Sequence, residues 1–176
     1  MPFTPFHMGL GLAAKAVAGR HFSLTVFGVS QVAMDIEPLV KLVAGVDHLH
    51  SITHSYLFAT FIACAVALSS RPMCQAILRR YVYELRYYKL GWLASPSEIP
   101  MVSAVSGAFF GTFSHVLLDS FMHHDVHPFS PFSYVNPLYG IFPIPTLHYF
   151  LLFLVAIGIT VWVFRSLKIR SSNPAA

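Results

Sequence analysis

Residues 147–164 contain no charged side chain and stop abruptly at Arg165, with Lys168 and Arg170 close behind. A run of this length fits the hydrocarbon core of a bilayer, which about 20 apolar residues cross as a helix. Two earlier runs, 52–70 and 100–122, are comparable, the first ending at Arg71-Pro72. Backbone in lipid must satisfy its own hydrogen bonds, so such runs are helices. The expected fold is therefore all-α: a polytopic membrane helical bundle with three full spans plus an N-terminal segment, residues 8–34. That segment is apolar but interrupted by Lys15, Arg20 and His21. It is either one tilted span or a helical hairpin turning near Gly19-Arg20-His21. A single span puts His7 and Asp35 on opposite sides of the membrane, whereas a hairpin, the reading adopted, brings them to one side.

Composition agrees with the spans. A hydrophobic fraction of 56%, a mean hydropathy of +0.64 and 15% aromatics exceed what an ordinary soluble domain carries. The net charge of +4 does not point to nucleic acid, because the basic residues gather beside the apolar runs. Between 71 and 91, five of them (Arg71, Arg79, Arg80, Arg86 and Lys89) alternate with tyrosines, the pattern of a helix lying on anionic headgroups. The length suits one domain, 1–176, and no cleavable signal peptide is expected, since the first residues lack a basic region. Cys64 and Cys74 form no disulfide framework.

Against so little charge, the stretch S-H-V-L-L-D-S-F-M-H-H-D-V-H-P-F-S-P at 114–131 stands out. His115, Asp119, His123 and His127 recur every fourth residue, which on a helix aligns them along one face. Imidazoles and carboxylates together are ligands for Zn²⁺ and related ions. A second group lies upstream: Asp35 and Glu37 in M-D-I-E-P, where Pro38 is expected to break any helix, then His48, His50 and His54. Asp35, at the edge of an apolar segment, needs a partner. His48 is either a ligand or only a helix cap, and His21 and His148 read as structural. The bland alternative is an exit loop whose histidines sit in the headgroup layer.

Charge fixes an expected orientation. The basic 71–91 loop and the basic tail should face the cytoplasm, which places every histidine motif on the non-cytoplasmic face of the membrane.

His7, M-D-I-E-P, H-S-I-T-H-S at 50–55, S-H-V-L-L-D at 114–119 and V-H-P-F-S-P at 126–131 together resemble the YdjM-like membrane-bound metal-dependent hydrolases over most of positions 5–135. That pattern usually reads P-D-x-D-H at the acidic turn and H-R-G-x-T-H-S at the second box. Leu49 stands here at the first histidine of that box, so His50 or His48 takes its role. The chain is more distantly similar to the zinc-dependent phospholipase C and nuclease class. The order of residues in that class implies that Asp35, His54, His115 and Asp119 hold one metal, that His7 shares Asp119 at a second, and that His124 and His127 serve the second or a third. Its downstream H-x-x-x-E is missing, since His148 is followed by Leu152.

What these resemblances imply is a hydrolase with one to three divalent ions, Zn²⁺ favoured, acting on a phosphoester. A carboxylate bridging two cations suits that chemistry. Asp35 doubles as a candidate catalytic carboxylate, and Glu37, Asp47 or His123 could relay protons. A lipid or isoprenoid phosphate would reach such a site from the bilayer. The rival readings are a metal-binding membrane protein without activity and a transporter; the central spans have almost no ionisable groups, and Lys15, Arg20 and His21 keep the transporter open.

Overall fold

The computed structural model describes residues 4–46, 50, 52–94 and 96–172, and among these every regular element is helical. The helices are α1 (Thr4–Ala18), α2 (Leu24–Val43), α3 (Tyr56–Ser69), α4 (Arg71–Tyr87), α5 (Met101–Met122) and α6 (Ile144–Ser172). Short 3-10 turns lie at Gly19–His21, Ile52–His54 and Gly91–Leu93.

The N-terminal segment is a hairpin. Gly19 takes φ +54, a left-handed conformation that closes α1, and Ser23 caps α2 by accepting from the Val26 amide. Lys15, which interrupts the apolar run, is the device that holds this turn. Its Nζ donates to the carbonyls of Gly19 at 2.8 Å and Phe22 at 2.7 Å, at the two ends of the turn between α1 and α2. The turn then docks on α5, where Ser23 N–H donates to the Ser103 carbonyl at 3.1 Å. The hydroxyls of Ser103 and Ser106 donate to the carbonyls of Arg20 and His21.

α2 does not end at Pro38. It continues to Val43, with Pro38 buried inside it. Proline removes one helical hydrogen bond, that to the carbonyl four residues back, and neighbouring helices can hold both halves in line despite the loss.

Of the three full spans expected, two are present as single helices. Two helices, Met101–Met122 and Ile144–Lys168, are long and apolar enough to cross a bilayer. The third run is cut short at both ends. Ser55 caps α3 at Tyr56, and Ser70-Arg71-Pro72 starts a new helix after only 14 residues, at 54° to the first. A third crossing exists only if α3 and α4 are one bent span. In α4 the tyrosines 81, 83 and 87 are exposed and Arg79 pairs with Glu98 at 2.7 Å, as an interfacial helix would arrange them.

α5 is the core helix. Val26 on α2, Ala63, Val66 and Ala67 on α3, and Ala104 and Ala108 on α5 form one buried cluster. Small residues bring the backbones close, as helices without a hydrophobic drive between them require. α6 packs along α1, with Gly9 against Leu151 and Gly158 against Leu12. Its other faces expose Leu152, Phe153, Ile157 and Phe164, side chains suited to lipid. The beginning of α1, the second half of α2, the start of α3 and the end of α5 all meet at one end of the bundle, while Arg71, Arg79 and Arg165 lie toward the other.

Candidate metal centre

Asp119 is the hub. It is fully buried, one turn after His115 near the end of α5, and among the described residues none donates a hydrogen bond to either of its oxygens. Nitrogen atoms from four imidazoles face it instead. Nε2 of His54 and Nε2 of His115 lie 3.3 Å from Oδ2, Nε2 of His50 lies 3.6 Å from Oδ2, and Nε2 of His7 lies 3.7 Å from Oδ1. Asp35 joins from α2, its Oδ1 at 3.3 Å from His115 Nε2. The hairpin thus brings His7 and Asp35 to the same cluster.

What the other ring nitrogen does decides the chemistry. In His115, Nδ1 lies 2.8 Å from Gln31 Oε1, and Gln31 Nε2 donates to the Gly111 carbonyl at 2.9 Å. The amide is therefore oriented, and Nδ1–H must be the donor. In His54, Nδ1 lies 3.0 Å from Thr53 Oγ1, whose own proton goes to Glu37 Oε2, so again Nδ1–H donates. In His50, Nδ1–H donates to Asp125 Oδ1 at 3.0 Å. A neutral imidazole that donates from Nδ1 keeps its lone pair on Nε2. Three lone pairs thus converge on a carboxylate, an arrangement that repels itself unless a cation sits among them. Burying an uncompensated charge costs several kcal/mol.

Protonated rings are a poorer account. Charge-assisted N–H···O bonds run at about 2.7–2.9 Å, shorter than any of these contacts. The spacing suits ligands of one ion: donors bonded at about 2.0–2.2 Å in a tetrahedron stand roughly 3.3–3.5 Å apart. Asp35, His54, His115 and Asp119 offer donor atoms all within 4.8 Å of one another. Their two carboxylates balance one divalent charge. The residues present therefore fit a metal ion.

Beside this group, His50, His123 and Asp125 form a second cluster by the same measure. His123 stacks on His50 with ring centroids 4.4 Å apart, and its Nε2 is buried without a hydrogen-bond partner. Burial, with His54 nearby, holds the His50 pKa below the ordinary histidine value, and burial does the same to His123. Burial alone would raise the Asp125 pKa, but the hydrogen bonds from His50 outweigh it and hold that carboxyl below its ordinary value.

Not every expected residue arrives. α5 stops at Met122, and His123 is already extended at φ −123, ψ 126. Asn136 Nδ2 secures this exit by donating to the carbonyls of Ser120 and His123. The fourfold spacing from His115 therefore breaks after Asp119. His124 is exposed and lies against Tyr139, and His127 lies against Tyr134; neither belongs to a described cluster. Glu37 faces elsewhere, accepting from the Thr53 amide at 2.9 Å and pairing with Lys41 at 2.9 Å. His48 and Asp47 lie outside the described residues. His148 stacks on Phe6 at 4.6 Å, and His21 is exposed at the hairpin turn.

Sequence reading missed Gln31, Thr53 and Asp125. Gln31 had a signal of its own, as the one amide in the apolar first half of α2.

A model of the YdjM inner membrane protein family matches residues 3–175 of the chain. No curated protein and no solved structure matches it.

Proposed function

The chain belongs to the YdjM inner membrane protein family, and from that premise we propose that it is a membrane-bound metal-dependent hydrolase acting on a phosphoester at the non-cytoplasmic face. The observation that carries the reading is the convergence of three lone-pair Nε2 atoms and Asp35 on the buried, donor-free carboxylate of Asp119. When bound there, a divalent cation, with Zn²⁺ best suited to a histidine and carboxylate set, supplies Lewis acidity toward a phosphoryl oxygen and toward water.

The chain's own residues do the rest. Asp35 and Asp119 hold the site near neutrality, so that an anionic substrate is not repelled. His54 and His115 are kept in one tautomer by Thr53 and Gln31. Glu37 acts through Thr53 and is a positioning residue. His123, with a bare Nε2 at the edge of the cluster, is the group placed to relay a proton. Around the same end of the bundle Ile36, Leu39 and Val43 on α2 and Phe129, Phe132 and Tyr134 after α5 are exposed. An amphiphilic phosphate, a lipid or isoprenoid one, could present its head to the cluster while its chains stay in apolar surroundings. A transport pathway has less support, because Lys15 is committed to the hairpin turn.

The test is metal analysis of the purified chain in detergent, followed by phosphate release from dispersed long-chain phosphates and from a soluble aryl phosphate. Bound metal with release favouring the long-chain substrate is expected. Bound metal with no release from either would leave a metal-binding protein.

Sidedness has its own test. Cys74 is buried and would stay silent wherever it lay, so it cannot report topology. With Cys64 and Cys74 replaced by serine, Tyr134→Cys should react with an impermeant thiol reagent on intact cells. Tyr83→Cys, exposed on α4, should react only after permeabilisation. The opposite labelling would move the site to the cytoplasm.

A further inference from the structure

Among the imidazoles that face Asp119, His50 alone lies outside regular structure: His7 lies on α1, His54 on a 3-10 turn and His115 on α5, while Asp35 joins from α2. A ring on a loop needs something else to hold it in place. Asp125 grips this residue twice. Its Oδ2 accepts the His50 backbone N–H at 3.1 Å, and its Oδ1 accepts Nδ1–H at 3.0 Å. Resting on the metal reading above, the structure assigns Asp125 as the positioning residue that makes His50 a metal ligand.

The two bonds do different things. The bond to the backbone fixes where the residue sits, and the bond to the ring fixes how it turns. With Nδ1–H given to Asp125, the lone pair left on Nε2 faces Asp119 Oδ2 at 3.6 Å. A carboxylate behind an imidazole also makes the ring a stronger base toward a metal. Asp125 is itself braced. The segment that carries it, 123–128, is tied at one end by Asn136 to the His123 carbonyl at 3.2 Å. At the other end it is tied by the Tyr56 amide, which donates to the Pro128 carbonyl at 2.9 Å. The loop after α5 thereby clamps the turn that enters α3.

The competing role is that Asp125, His50 and His123 hold a separate cation, since their donor atoms lie within 4.8 Å of one another. Positioning is the better account, because both Asp125 oxygens already accept N–H groups of His50.

The experiment uses the purified full chain in detergent, stripped of metal and titrated with Zn²⁺ against a chromophoric chelator. A parallel titration with Co²⁺ reads the ligand-field spectrum. Asp125→Asn should weaken Zn²⁺ binding about 10–100-fold while leaving the number of ions bound at saturation unchanged. It should shift the Co²⁺ spectrum in the same direction as His50→Ala. The double variant should bind no more weakly than His50→Ala alone, since the two residues act through one contact. Asp125→Glu should recover part of the affinity. Should Asp125→Asn fail to accumulate, Asp125→Ser in the same titrations decides the matter. Loss of one ion at saturation with the remaining affinity untouched would make Asp125 a ligand and overturn the assignment. Unchanged affinity and spectrum, or additive losses in the double variant, would overturn it as well. A wild-type chain that binds no ion removes the metal centre and this assignment together. A chain that binds metal without hydrolysing anything removes only the proposed reaction.

Discussion

Asp119→Asn should severely weaken metal binding and remove nearly all hydrolysis while the protein still inserts and folds. Asp119 is the residue on which His7, His50, His54 and His115 converge, and its two oxygens are shared between them. The amide keeps the shape but removes the charge, and its NH₂ points two donors where cation ligands belong. Removing one partner from a buried charge pair costs about 3–5 kcal/mol, and every 1.4 kcal/mol is tenfold, so metal affinity should fall by roughly 10² to several times 10³-fold. Without metal the variant should be no less stable than the metal-free wild type, because a buried carboxylate lacking hydrogen-bond donors has been neutralised. The heat stability that added Zn²⁺ gives the wild type should be missing from it. His148→Ala is the matched control: that ring stacks on Phe6 and belongs to no described cluster, and metal content and activity should not move. If Asp119→Asn bound its full complement of metal, the hub would be wrong and the cluster would be an interfacial loop.

The residues of the candidate metal centre were legible because they break a strong background. In an apolar chain an imidazole or carboxylate needs a reason, so His7, Asp35, His54, His115 and Asp119 could be picked out one by one. Local patterns then misled where a cap intervened. Fourfold spacing carried His123 and His127 onto the face of α5, but the helix ends at Met122 and Asn136 secures the exit. Apolarity alone joined 52–70 into a span, yet Ser55 splits off a 3-10 turn at its start, and α3 then bends by 54° into α4 at Ser70. Gln31 and Asp125 were hidden for another reason. Their work is done at separations of 84 and 75 residues, against His115 and His50, and nothing in their own neighbourhoods shows which ring they serve. The role of Lys15 was hidden for the same reason. A charge within an apolar run suggests a pathway until the turn carbonyls it satisfies come into view.

Gly107→Ala should disable the site from eight residues away. On α5, a Cβ at position 107 would stand 2.5 Å from the Ser23 carbonyl oxygen and 3.3 Å from the Phe27 amide nitrogen, both backbone atoms of the hairpin arm. Backbone cannot swing aside as a side chain can, so α2 must move off α5, and overpacking of this kind costs about 1–3 kcal/mol. The same helix pair carries the site: Gln31 and Asp35 on α2 meet Gly111 and His115 on α5. Position 107 lies about 12 Å along the helix from His115, at 1.5 Å per residue. A shift there that opens the 3.3 Å approach of Asp35 to His115 should lower metal affinity as well as stability. Gly28→Ala tests the same substitution without the obstruction. It meets only the flexible end of Met8, at 3.7 Å, and replaces a helical glycine. It should therefore be neutral or stabilising by up to about 1 kcal/mol, with metal binding intact. Equal behaviour of the two variants would mean that the close approach of α2 to α5 at Gly107 does not set the geometry of the metal centre.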